Sequence, residues 1–385
     1  MPTSSQAFVT PAVLRWARDR ARTTPEVVAK KIGTKPESVT SWESGESRPT
    51  FRQAEQLAKK LYVPFAYLFL PAPPTEDIPL ADFRTIGNER FQPSLALMDL
   101  LNDVLAKHTW YREFVQSEGQ SEHAFVGSFS IDDDVDTIAS DIATTLGITD
   151  GLRESCVNWE QFLSKLIDQA QTNGIIVMRS GTVGGNPHRP IRAEEFRGFA
   201  ISDVLAPLIF INSTDFKAAQ IFTLAHELSH VWLGTSGISN ENLGEPDPSD
   251  LEHKCDAIAA ELLTPTQSFL ERWGQFKQNI SQLAQYFRVS TLVILRRGRD
   301  LDKLTQQQFE ERFEVEKRKY RKRAQEGGHF YRTLLARNSA LFTSAVVSAV
   351  TEGRELYREA AQLLNVKVET IPKIADFLEN RPTGE

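Results

Sequence analysis

The sequence predicts a mainly α-helical protein with a small antiparallel sheet. Three observations carry that prediction. Apolar residues recur at helical spacing on both sides of a proline-rich break. Only a few short β-branched runs, all between residues 174 and 211, read as strands. The break itself, Pro71 to Pro79, has four prolines in nine residues, which cannot continue a helix.

Composition narrows the class. The 385 residues are 41% hydrophobic and 25% charged, enough apolar material for sizeable cores. A disordered tail, a collagen-like chain and a disulfide scaffold are excluded. No apolar run reaches the ~18 residues that span a bilayer. Met1 to Thr10 lacks a basic stretch followed by an apolar core, so no signal peptide is legible. Cys156 and Cys255 form no CxxC pair, which fits a reducing cytoplasm. Neither cysteine looks placed to close a metal cage. The expectation is a cytoplasmic protein with no membrane partner.

Charge is unevenly spread. The net charge is −7, yet residues 1–71 carry eleven Lys/Arg against six Asp/Glu. That makes the segment +5 and leaves −12 for the rest. The two parts therefore suit different partners.

The elements follow in order. Short helical patterns separated by turn residues precede the break. Leu95 to Phe114, Asp132 to Leu146 and Trp159 to Gln171 read as helices. Gly174 to Arg179 reads as a strand, and Ser180 to Pro190 as a glycine- and proline-rich loop. Arg197–Ser202 and Pro207–Ile211 flank a short link and read as an antiparallel hairpin. A long helix runs from about Thr214 to Leu233, and nearly everything from Asp250 onward is helical. The domain expectation is 1–71, a linker at 72–80, a body at 81–266 and a helical region at 267–385.

The most informative residues are His226-Glu227-Leu228-Ser229-His230, an H-E-x-x-H motif inside the long helix. Positions four apart share a helix face, so both imidazoles can reach one ion. Glu227 lies about 100° round from His226, suitably for a base acting on a metal-bound water. Catalytic zinc takes three protein ligands and keeps one open position. Glu252, at the start of the helix Asp250 to Leu263, is the candidate third ligand. Asp256, one turn further on the same face, suits a hydrogen bond from a liganding imidazole. His253 points about 100° away and suits the substrate side better. Two bland readings stand beside this one: histidines that merely decorate a helix, and a metal site of structural importance only.

The run Gln220 to Gly234, followed by Glu252-His-Lys-Cys-Asp-Ala-Ile-Ala-Ala-Glu-Leu-Leu-Thr-Pro265, resembles the ImmA/IrrE metallopeptidases. The family's second motif is roughly E-x-x-A-N-x-F-A-A-x-L-L-x-P. This chain has Cys255, Asp256 and Ile258 where Ala, Asn and Phe are usual. The resemblance implies a reduced, gluzincin-like zincin fold. It implies one zinc on His226, His230 and Glu252, Glu227 as base, and a regulatory protein such as a repressor or toxin partner as substrate.

The N-terminal segment carries a second pattern. Ala29, Ile32, Val39 and Trp42 are the apolar positions of two short helices, with Gly33 at the turn between them. Trp42-Glu43-Ser44-Gly45 then precedes Pro49. This resembles the Xre-type helix-turn-helix of phage repressors, and with Asp82-Phe-Arg-Thr85 it resembles fused Xre–ImmA/IrrE regulators. DNA binding through residues 1–71 is implied, with Lys30, Lys31, Lys35, Ser38, Ser41 and Arg48 as candidate contacts. The second helix offers no Arg or Asn for bidentate base readout. A partner-docking helical domain is the alternative.

Ile280 to Arg297 also scans as a helix-turn-helix, read mainly as packing support with DNA contact as the alternative. Lys317 to Arg323 is a basic run behind four glutamates, read as a solvated helix face rather than a phosphate-binding stripe. The functional expectation is a DNA-binding regulator whose zinc endopeptidase domain cleaves a specific partner. The alternative is a repressor or antitoxin whose zincin fold binds without cleaving. Oligomeric state is left open, a dimer among the options. No oxyanion donor is named by the sequence. Either hairpin strand, 197–202 or 207–211, is expected to offer an edge to substrate.

Overall fold

Proline opens each of the first three helices in the computed structural model: α1 (Pro11–Arg20), α2 (Pro25–Ile32) and α3 (Pro36–Ser44). Its missing N–H and fixed φ suit the first helical position. The structure describes residues 5–74, 85–86, 89–90, 93–193, 195–215, 217–239, 250–321 and 329–380. The linker beyond residue 74, Asp82 to Arg84, and Lys322 and Arg323 of the basic run lie outside the described residues. The chain divides into two compact units, Met1–Ile78 and Pro79–Glu385.

In the first unit, Gly33 and Gly45 end α2 and α3 with φ of 71° and 83°. That left-handed conformation is the reason both positions are glycine. α4 (Phe51–Leu61) starts with a Thr50/Gln53 capping box. Leu14, Val28, Val39, Trp42, Leu57 and Leu61 form the core. Glu43 is also buried, held by Arg18 through Nε–Oε1 at 2.7 Å and Nη2–Oε2 at 3.0 Å. The acidic residue of the Trp-Glu-x-Gly signature thus ties α1 to α3 through a bidentate pair.

The second unit contains strands β1 (Thr85–Ile86) and β2 (Glu89–Arg90) and helices α5 (Leu95–Ser117), α6 (Val135–Thr145), α7 (Asp150–Glu154) and α8 (Trp159–Thr172). β3 (Ile176–Ser180), β4 (Gly198–Ile201) and β5 (Leu208–Asn212) follow, then α9 (Lys217–Trp232), β6 (Gly237–Ser239) and α10 (Asp250–Leu263). The remaining helices are α11 (Thr266–Gln275), α12 (Ile280–Phe287), α13 (Thr291–Asp300), α14 (Gln306–Arg321), α15 (Phe330–Asn338), α16 (Ala340–Thr351), α17 (Tyr357–Leu363) and α18 (Ile371–Glu379). No single described helix is long and apolar enough to cross a membrane.

The mainly helical class and the 198–212 hairpin are as the sequence predicts. The sheet is mixed rather than purely antiparallel, with order β3-β5-β4-β6 and β3 parallel to β5. β5 is buried along its whole length and takes partners on both edges. The expected substrate edge therefore needs correction. Among the described residues β4 and β5 are both internal, and the outer strands are β3 and β6.

α9 lies against β4 and β5 on one side and α10 on the other. One apolar core runs from Ile138 on α6 to Phe313 on α14 and includes Trp232, Ile258 and Leu295. α13, the second helix of the 280–297 pattern, is buried from Leu292 to Gly298. That removes the DNA-contact alternative for this segment and leaves packing support.

Substituting Arg18 by Leu leaves the Glu43 carboxylate buried without its fork. A loss on the order of 3 kcal/mol is expected in this unit. Hydrogen exchange at the α1 and α3 amides should accelerate roughly a hundredfold. Unchanged exchange would show that the pair is incidental to the unit.

Candidate metal centre

α9 is apolar nearly all round because it is packed on both sides, and its polar residues are consequently conspicuous. His226, Glu227 and His230 are each buried. Ser229 Oγ donates to the Ala225 carbonyl and also reaches the Cys255 carbonyl at 3.4 Å, so α9 meets α10 at short range. The packing brings the first turn of α10 to the two imidazoles. His226 Nε2 lies 3.1 Å from His230 Nε2 and 3.0 Å from Glu252 Oε2. Glu252 Oε1 lies 3.4 Å from His230 Nε2. His253, by contrast, is exposed.

The outward nitrogens are fixed by neighbours. His226 Nδ1–H donates to Asp256 Oδ1 at 3.0 Å. Asp256 Oδ2 accepts from Arg296 of α13, whose guanidinium also lies 4.8 Å over the Phe222 ring. His230 Nδ1–H donates to Thr235 Oγ1 at 3.0 Å, and that hydroxyl donates to the His230 carbonyl. Ser202 at the end of β4 donates to the Thr235 carbonyl at 2.6 Å. Both Nε2 atoms are thereby turned toward each other and toward a carboxylate.

Such a triad needs a positive charge between its members. Burial works against charge on His226, but hydrogen bonds with Asp256 and Glu252 outweigh it and raise its pKa well above the usual imidazole range. Burial likewise works against ionised Glu252, yet His226 and His230 hold its pKa well below the usual carboxylate range. The raised imidazole contributes stability below about pH 6.5, lost as pH climbs through the folded value. The depressed carboxylate contributes above about pH 4.3, lost on acidification. A proton can thus hold the cluster together, and a metal cation can replace it. Two imidazoles and one carboxylate are a zinc donor set, and tetrahedral zinc sets its ligand atoms about 3.3 Å apart. The observed 3.0–3.4 Å separations fit.

Cys255 bears on the expectation that no cysteine is placed to close the site. Its buried thiol lies within 4.8 Å of a ring nitrogen of both His226 and His230. It stands three residues after Glu252, hence on a neighbouring part of the same α10 face. Glu252 contacts both imidazoles at 3.0–3.4 Å, and Cys255 is a further group close enough to act as a donor.

Glu227 faces the sheet. A Cβ placed on Gly198 of β4 would stand 2.7 Å from Glu227 Oε1 and 3.0 Å from the Phe210 carbonyl. Only glycine leaves room for this carboxylate between α9 and β4. Sequence reasoning singled out neither Gly198 nor Arg296. The one available signal for Arg296 is its place directly after the apolar run Leu292 to Leu295.

Residues 187–298 match the IrrE N-terminal-like domain, a peptidase family, and residues 14–68 match a helix-turn-helix family. The chain joins a helix-turn-helix domain to an IrrE-like peptidase-family domain. Residues 338–377 match a domain family of unknown function. No curated protein and no solved structure matches the chain. The IrrE-like match covers Gly198, α9, α10 and Arg296, and so contains every residue described around the cluster. In the helix-turn-helix domain, Lys30, Lys31, Lys35 and Arg48 are exposed and Ser38 and Ser41 partly so. Ser41 Oγ is already engaged by Glu46 and Ser47, and the Arg48 guanidinium lies 4.0 Å over the Phe8 ring.

Glu252→Ala should abolish zinc binding, and Cys255→Ala should keep about one zinc per chain in elemental analysis. Zinc uptake should release a proton wherever His226 is protonated without metal, and its raised pKa carries that release above the ordinary imidazole range. Calorimetry in buffers of different ionisation enthalpy reads that proton. Loss of zinc from Cys255→Ala would instead identify a closed, four-ligand structural site.

Proposed function

We propose that this chain is a DNA-binding regulator whose IrrE-like domain is a zinc-dependent endopeptidase acting on a specific regulatory protein in the cytoplasm. The convergence of His226, His230 and Glu252 beside a buried glutamate on the same helix carries the reading. His226, His230 and Glu252 would hold the metal, with Asp256 and Thr235 orienting the imidazoles. Zinc supplies a Lewis acid that polarises a scissile carbonyl and acidifies water. Glu227 is the proton acceptor for the attacking water and then the donor to the leaving amine. Its contact with Gly198 sets where that carboxylate sits. β6 directly follows α9, and among the described residues β4 is its one strand partner. An extended substrate segment added to the outer edge of β6 would extend the sheet that Glu227 faces.

The N-terminal domain would bring this activity to DNA. Lys30 and Lys31 at the end of α2, Lys35 before α3 and Arg48 after it suit phosphate contacts. The recognition helix is poor in bidentate readers, so phosphate contacts carry much of the affinity.

Glu227→Gln keeps shape and removes the acceptor. It should retain zinc and partner binding while cleavage falls at least roughly 10²-fold. Gly198→Ala should retain zinc and slow cleavage, since its methyl displaces the same carboxylate. Partner captured on Glu227→Gln and cut by the wild type is the positive result. A wild type that leaves every captured partner uncut, and behaves in cells as Glu227→Gln does, would assign the fold to binding alone.

For DNA, log affinity should fall linearly with log salt concentration. Lys35→Ala should weaken all sequences alike and lower that slope by about one unit. A variant with residues 1–71 deleted that keeps full DNA affinity would remove the N-terminal domain from this role.

A further inference from the structure

A cavity of about 640 Å³ lies away from the metal cluster, between α8, β3, α15 and α18. Each wall follows from element geometry. Val177 and Arg179 are two apart on β3 and share a face. Ile167 and Asp168 on α8, and Leu335 and Ala336 on α15, project from the faces those helices turn to the strand. Phe377 of α18 closes another side, stacked on His329 and Tyr331.

The polar groups of this cavity are mostly spoken for. Gln171 Oε1 accepts from Ser339 Oγ and from the Ala340 and Leu341 amides at the start of α16. Ser164 donates to the Glu160 carbonyl. Arg179 differs. Its guanidinium makes no hydrogen bond among the described residues, and Asp168 acts on it through space only. Burial pulls its pKa below the ordinary guanidinium value, against the pull of Asp168. A partly buried guanidinium without an acceptor is costly unless something supplies one.

We propose that this cavity binds a small organic acid, with one carboxylate on Arg179 and an apolar body against Ile167, Val177, Leu335 and Phe377. Arg332, more exposed, adds a second cation to the lining, and Asp168 subtracts one charge. That balance matches a monoanion and disfavours a dianionic phosphate. The volume and the mostly apolar lining are those of a small-molecule site. α8 connects the cavity to α9 and the metal cluster, and Ala340 and Phe377 come from the 338–377 match. The site therefore joins that segment to the IrrE-like body.

The test uses the full chain with octanoate, decanoate and 4-phenylbutyrate, followed by calorimetry and saturation-transfer NMR. At least one should bind saturably at one per chain. Arg179→Met should weaken it tenfold or more, and Arg179→Lys should retain most of the affinity. Decanol should bind at least tenfold more weakly than decanoate and be indifferent to Arg179→Met. Ala336→Trp, which fills the cavity without touching the charge, should abolish binding and serves if Arg179→Met fails to fold. Absence of saturable binding by all three acids would overturn the proposal. So would affinity unchanged in both Arg179→Met and Ala336→Trp. Tighter binding of decyl phosphate than decanoate would overturn the carboxylate assignment.

Discussion

Two imidazole nitrogens and a carboxylate from two helices meet through contacts of 3.0–3.4 Å, in a place where burial leaves little water to screen them. Two imidazole lone pairs and a carboxylate repel unless a cation sits among them. That constraint organises the unit around it. α9 and α10 must pack closely enough to bring Glu252 to His226. Asp256 must hold one imidazole from behind, and it is itself neutralised by Arg296 from α13. The 280–297 segment thus reaches the metal cluster through one buried charge pair, although its sequence pattern resembles a DNA-binding element.

The sheet supplies the other half of the geometry. β4 is internal, and its Gly198 leaves a space that Glu227 occupies. Ser202, four residues on, anchors the loop that holds His230 through Thr235. One short strand therefore packs against Glu227 at one end and steadies His230 at the other. Exchange of the hairpin edges for β6 as the outer strand follows from the same arrangement, because β4 is already paired on both sides.

Much of the site was legible because local periodicity determines it. H-E-x-x-H places two imidazoles on one face whatever surrounds the helix, and Glu252 with Asp256 repeats the same four-residue logic on the next helix. What the sequence concealed depends on contacts between distant segments. Arg296 is 40 residues from Asp256. Gly198 matters only because α9 lies across β4. Cys255 approaches the imidazoles through helix–helix packing that spacing alone does not reveal. The N-terminal unit behaves likewise. Gly33 and Gly45 announce their turns, whereas the burial of Glu43 against Arg18 needed the fold. Strand order was illegible for a related reason: β5 is apolar from Leu208 to Ile211 and buried throughout, so its pattern does not say which neighbours it takes.

The central claim is that the buried cluster is an open, three-ligand zinc site. X-ray absorption at the zinc edge of the loaded wild-type protein tests it most directly. The account predicts two imidazole nitrogens and oxygen donors near 2.0–2.2 Å, with no sulfur shell. A sulfur scatterer near 2.3 Å would place Cys255 on the metal and contradict the open site.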